Sequence, residues 1–101
     1  MSARFTWSVS TPGGVAASGQ CEFLVVPTTG GELGVLADHA ALVASVAPGE
    51  RRVTASDSAS AGVRAISVGP GVVDVRDNVV RLLVSRAEKP PRAGAGTSTD
   101  A

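Results

Sequence analysis

The chain has 101 residues, 44% of them hydrophobic, and nine basic side chains balance nine acidic ones to a formal net charge of zero. That length fits one domain, which buries roughly 65% of its unfolded surface and so forms a core without staples. A single lysine, Lys89, and scattered arginines exclude a surface that holds nucleic acid or anionic lipid by clustered positive charge, since adjacent Arg51 and Arg52 do not make a patch.

The elements read as short strands throughout. Phe5, Trp7 and Val9 alternate with Arg4, Thr6, Ser8 and Ser10, a strand with one wet face. Thr11-Pro12-Gly13-Gly14 is a turn, with glycine supplying positive φ, and Val15 to Ser18 is a weak second strand. Cys21 to Val26 is apolar on both faces, which predicts a central strand that Pro27 ends. A Gly-Gly loop precedes a short strand from Leu33 to Leu36, and the run from Ala40 to Ala47 fits helix and strand equally. Pro48-Gly49 is a turn before a strand beginning at Arg51, and Ser56 to Gly62 is a small, polar hairpin tip without strong register. Val63 to Val68 is a strand, then Gly69-Pro70-Gly71. Val72–Arg76 and Val79–Ser85 flank Asp77-Asn78, two residues able to adopt positive φ and therefore a two-residue hairpin turn.

This spacing predicts an all-β fold, a small β-sandwich of about nine to ten short strands over residues 1–88. The expected core is Phe5, Trp7, Val9, Phe23, Val25, Leu36, Leu42, Val46, Val53, Ile66, Val68, Val73, Val75, Leu82 and Val84. Residues 89–101, small, polar and rich in Pro and Gly, read as a disordered tail. Cys21 is the sole cysteine, which rules out an internal disulfide and fits a small strand residue better than a reactive thiol. No continuous apolar leader opens the chain, and no apolar run approaches the ~20 residues that span a bilayer. The expectation is a soluble, cytoplasmic chain with no direct membrane insertion.

Little in the sequence can do covalent chemistry. One His and one Cys, without carboxylates at ligand spacing, give no metal site, and no nucleophile elbow accompanies His39. Gly30-Gly31-Glu32-Leu33-Gly34 and Gly69-Pro70-Gly71 lack the Gly-Lys-Ser/Thr ending of a phosphate loop and lead into strands, so they read as tight turns. Glu22, Glu32 and Asp38 would form a catalytic pair only by accident of fold. The reading is of a non-enzyme with no cofactor. Two rivals remain: a free-standing β-sandwich binding module, weakened because Phe5, Trp7 and Phe23 all sit in strands, and a small barrel enzyme, weakened by one His and no Tyr.

Three ordered blocks resemble one family. Gly31-Glu32-Leu33-Gly34-Val35-Leu36-x-x-His39-Ala40-x-Leu42 is similar to the Gly-Glu-x-Gly-hydrophobic-x-Pro-x-His-x-Pro-Leu block of the epsilon subunit of the F-type ATP synthase. Pro48-Gly49 matches the turn that follows it, and Gly71 to Val80 is similar to the family's Gly-Phe-x-x-Val-x-x-Asn-x-Val hairpin. The resemblance covers residues 4–88. Ala37 and Ala41 stand where the family has proline, which implies a less rigid loop around His39, and Gly69-Pro70-Gly71 departs from a Gly-Gly-aromatic or Gly-Gly-aliphatic piece.

The resemblance implies a non-catalytic rotor-stalk subunit at the cytoplasmic face of the bacterial plasma membrane. It would bridge the gamma subunit and the polar loops of the c-ring and couple proton flow to ATP synthesis in the alpha/beta ring. By motif match, Gly31, Glu32, Leu33, Gly34, His39 and Leu42 are the expected partner interface, Glu32 pairing with a basic residue of a c-ring loop. Family members commonly continue into a C-terminal helical hairpin that inhibits hydrolysis. With no helical segment read after Ser85, inhibition is not expected here.

Overall fold

The computed structural model describes residues 3–49, 51–57 and 62–88, and among these it is all β. Ten strands follow in chain order: β1 (Phe5–Thr11), β2 (Gly14–Cys21), β3 (Phe23–Thr28), β4 (Gly31–Val35), β5 (Leu42–Val46), β6 (Arg51–Asp57), β7 (Gly62–Val68), β8 (Gly71–Arg76), β9 (Val79–Val84) and β10 (Ala87–Glu88). The run 40–47, open between helix and strand, is strand from Leu42 to Val46, because its apolar residues pair along β8 from Leu42↔Val75 to Val46↔Gly71. The expected tail from Lys89 and the tip at 58–61 lie outside the described residues.

Hydrogen bonding links the strands in the order β10-β7-β6-β3-β5-β8-β9-β1-β2, with β4 added on β3. The path folds over at the end of β3, where one short pairing, Thr28↔Val46, joins two layers. Ala47 N–H donates to the Pro27 carbonyl at 2.9 Å and Thr29 N–H to the Ser45 carbonyl at 3.0 Å across that joint. Pro27 therefore lies inside β3 instead of ending it; the donor it lacks is not needed, because its carbonyl makes the contact to the second layer. β1 lies parallel to β9, while the other described pairings are antiparallel. At the far end Glu22 N–H donates to the Ser56 carbonyl at 2.9 Å, tying β2 back to β6.

Inward side chains fill the space between the layers: Phe5, Trp7 and Val9 from β1, Leu24 and Val26 from β3, Val53 from β6, Ile66 and Val68 from β7, Val73 and Val75 from β8, and Val80, Leu82 and Val84 from β9. Four expected core residues are corrected. Phe23 is 39% and Leu36 59% exposed, and Val25 and Leu42 are only half-buried. The chain bends at Glu22, which inserts one residue between Cys21 and the next buried position, so the inward phase of β3 falls on Leu24 and Val26. In β4 the inward phase ends on Val35, leaving Leu36 outside.

Two side-chain links close the sandwich. The Arg64 guanidinium lies 5.1 Å from the centroid of the Trp7 ring and donates to the Ser18 carbonyl at 3.3 Å. Arg4 pairs at 2.6 Å with Asp57, which is 5% exposed. Buried beside them, Cys21 keeps its proton: burial pushes its thiol from 9.0 up to about 11.

Candidate functional site

The expected interface residues begin at the β3–β4 turn. Thr28 Oγ1 accepts from Gly30 N–H at 3.2 Å and donates to the Gly31 carbonyl at 2.6 Å, while Gly31 takes φ 117°, which a side chain would resist. The tight turn presents Glu32 to solvent, opposite Pro27 in the ladder. The segment 31–34 is thus strand rather than loop. Leu33 points partly into the core, and Gly34 is held flat beneath Phe23: a Cβ there would stand 3.1 Å from the ring.

Glu32 borders an open groove of ≈ 600 Å³ between the β3–β4 turn and the Pro48-Gly49 turn, with Arg51 and Ala47 among its lining residues. Arg51 Nε donates to the Pro48 carbonyl at 3.1 Å, which fixes a positive group on a groove that Glu32 makes negative at another point. The sequence marks Arg51 only as the start of a strand, separated from the Pro48-Gly49 turn by Glu50.

His39 and Leu42 lie elsewhere. β4 carries the chain about 13 Å away from the Gly31 turn at ~3.3 Å per residue. The connection 36–41 then meets the Asp77-Asn78 turn of β8–β9. Both turn residues take positive φ, 53° and 60°, as the sequence predicts for this hairpin. Asp38, at φ 64°, donates its N–H to Asn78 Oδ1 at 2.6 Å, and Asn78 Nδ2 donates to Asp38 Oδ1 at 3.0 Å. His39 Nδ1 lies 2.7 Å from the Ala40 carbonyl, which places a proton on Nδ1 as donor. Leu42 opens β5 opposite Val75 and is half-buried. The structure brings Gly31, Glu32, Leu33 and Gly34 together and sets His39 and Leu42 at the other end of the sandwich.

Between the two ends runs the outer face of β5, β8 and β9. Val43, Val72 and Leu83 are exposed on it, Val72 and Leu83 directly opposite one another. Beside them Asp74 and Arg76 approach to 3.5 Å, and Arg81 faces Asp74 across the ladder. On this face Val72 and Leu83 share a row with Ser45, towards the β3–β4 turn, and Val43, Asp74 and Arg81 form the next row towards His39; apolar side chains with charges alongside have the make-up of a protein-docking surface. Among the described residues, no three His, Cys, Asp or Glu side chains converge as a metal site would require, and no helix is long and apolar enough to cross a membrane.

The family described as ATP synthase, Delta/Epsilon chain, beta-sandwich domain matches residues 4–90. The chain is 36% identical over 88 residues to the ATP synthase epsilon chain of Desulfitobacterium hafniense, covering 87% of this chain and 64% of that one. It is 37% identical over 83 residues to the epsilon chain of Shouchella clausii, covering 82% of this chain and 59% of its relative. It therefore spans about three-fifths of the length of these relatives. A chain in the cryo-EM structure of the Euglena gracilis mitochondrial ATP synthase superposes with a TM-score of 0.75 at 21% identity, over 88% of this chain and 55% of that one. Another, in the central stalk and c-ring structure of the Tetrahymena thermophila mitochondrial enzyme, does so with 0.63 at 16%, over 87% and 68%. At those identities the likeness is one of fold. Ordered motifs, a ten-stranded sandwich and a family match across it agree: the chain belongs to the delta/epsilon-chain β-sandwich family of the ATP synthase.

Proposed function

We propose that this sandwich is a non-catalytic rotor-stalk part of an F-type ATP synthase. It docks on the gamma subunit and stands on the polar loops of the c-ring, and so couples proton translocation to ATP synthesis in the alpha/beta ring. The observation that carries this reading is the 36% identity to an ATP synthase epsilon chain across nearly the whole sandwich. The geometry supports it. A rotor element must transmit torque without deforming, and a close-packed core of interlocked strands is stiff. It must also hold two partners at once, and separate surfaces are available: the Glu32 groove at one end, and at the other His39 and Leu42 with exposed Val43 beside them.

In this reading Glu32 and Arg51 read the charges of a c-ring loop, which sets register more than affinity. Gly31 keeps the turn close to that loop, Gly34 makes room for the Phe23 ring beside it, Leu33 anchors the strand to the core, and His39 and Leu42 contribute to the gamma side. The location is the cytoplasmic face of a bacterial plasma membrane, reached through partners.

The test is reconstitution. Membrane vesicles whose ATP synthase carries this chain as its epsilon subunit should show proton-driven ATP synthesis. Glu32→Arg should uncouple synthesis from the gradient while gamma still co-purifies. Unchanged coupling in both Glu32→Arg and His39→Ala would remove these residues from the interface.

A further inference from the structure

We propose that Asn78 is a positioning residue for His39: its carboxamide, carried on the β8–β9 turn, holds the 36–41 connection in the one geometry that a docking partner reads. The proposal rests on the rotor-stalk reading only for the identity of that partner.

The connection has no proline to lock it, with Ala37 and Ala41 on either side of Asp38 and His39. Its middle residue, Asp38, sits at φ 64°, a conformation that L-residues avoid and that Asp tolerates through local polar contacts. Two groups of Asp38 are engaged by a residue 40 positions away. The backbone N–H donates to Asn78 Oδ1 at 2.6 Å, and the carboxylate Oδ1 accepts from Asn78 Nδ2 at 3.0 Å. The carboxamide thus supplies an acceptor and a donor to one residue. A two-point contact of this kind fixes orientation as well as distance.

The other end of the contact is firmly based. Asn78 is the second residue of the tight turn, at φ 60°, and its carbonyl accepts from Thr6 N–H at 3.1 Å. Asn78 therefore stands on β1, β8 and β9 together. His39 follows Asp38 directly, and its ring is held in turn by the Nδ1 contact to the Ala40 carbonyl at 2.7 Å, which leaves Nε2 for a partner. A continuous line of contacts runs from three core strands through Asn78 and Asp38 to the imidazole. Asp38 and Asn78 are both exposed, so their hydrogen bonds exchange with water and add little to folding. What they add is a defined loop, and pre-organisation of a docking loop appears as affinity.

The experiment exchanges the pair in the full-length chain. Asn and Asp both tolerate left-handed φ, so the turn and the loop keep their backbones in every variant. Asn78→Asp removes the donor and sets two carboxylates face to face. Asp38→Asn combined with Asn78→Asp restores a donor–acceptor pair with the roles reversed. Titrated against the gamma subunit, Asn78→Asp should bind about tenfold more weakly, the effect of losing such a contact, and add nothing to His39→Ala. The double exchange should recover wild-type affinity, with melting temperatures little changed throughout. Wild-type affinity in Asn78→Asp, or a double exchange as weak as Asn78→Asp, overturns the proposal. If the wild-type chain itself does not bind gamma, the rotor-stalk reading falls and amide exchange on the free chain decides the positioning role. The Asp38 amide should then exchange more slowly in the wild type and the double exchange than in Asn78→Gly, which removes the acceptor and keeps the positive φ; equal exchange in all three would overturn it.

Discussion

Gly71→Ala should be among the most destabilising single-methyl changes this sandwich can suffer. Gly71 opens β8 and pairs with Val84 on β9. A Cβ built on it would stand 2.0 Å from the Leu83 carbonyl oxygen and 2.6 Å from the Val84 Cα. Ordinary contact begins near 3.4 Å, so the two strands would have to part by more than about 1 Å, and both obstacles are backbone atoms that cannot rotate away. Overpacking of this kind costs about 1–3 kcal/mol, and a clash with backbone belongs at the upper end. In a domain of this size that is a fall of roughly 10–20 °C in melting temperature. The control is Gly30→Ala in the β3–β4 turn, where the nearest atom is Thr28 Oγ1 at 3.9 Å. Urea denaturation followed by Trp7 fluorescence would measure both. Gly30→Ala should stay within about 0.5 kcal/mol of the wild type. A Gly71→Ala variant equally close to wild type would refute the close approach of β8 and β9.

The buried thiol gives stability a pH dependence. Unfolded, Cys21 ionises near 9.0; folded, it holds its proton to about 11, so its contribution is full below pH 9 and is lost as pH rises from 9 towards 11. Cys21→Ala should flatten that alkaline decline, which is readable here because the chain has no Tyr and a single Lys. Arg64→Ala removes both the contact over Trp7 and the bond to the Ser18 carbonyl. It should lower stability by about 1 kcal/mol, with a change in Trp7 emission, while Arg64→Lys recovers part of the loss.

Strand content was legible because valine-rich runs broken by Gly and Pro leave few other folds, and Asp77-Asn78 announced its turn by residue type alone. The phase of β3 was not legible. Cys21–Val26 is apolar on both faces, so alternation carries no information there, and the bend at Glu22 that sets the phase has no sequence mark. The layer switch at Thr28↔Val46 was likewise hidden, since it depends on Pro27 contributing a carbonyl rather than terminating a strand. At the candidate site the motif named Glu32 and His39 but not their separation, which follows from β4 running away from the Gly31 turn. Arg51 and Asn78 complete the two ends through contacts to distant or turn-separated residues, which a local pattern does not display.

The most direct test of the rotor-stalk account is calorimetric titration of the full-length chain into its cognate gamma subunit. The account predicts saturable one-to-one binding, weakened by Val43→Glu on the exposed face of β5 beside Leu42 and left intact by Glu32→Arg at the opposite end. Absence of binding, or binding indifferent to Val43→Glu, would contradict it.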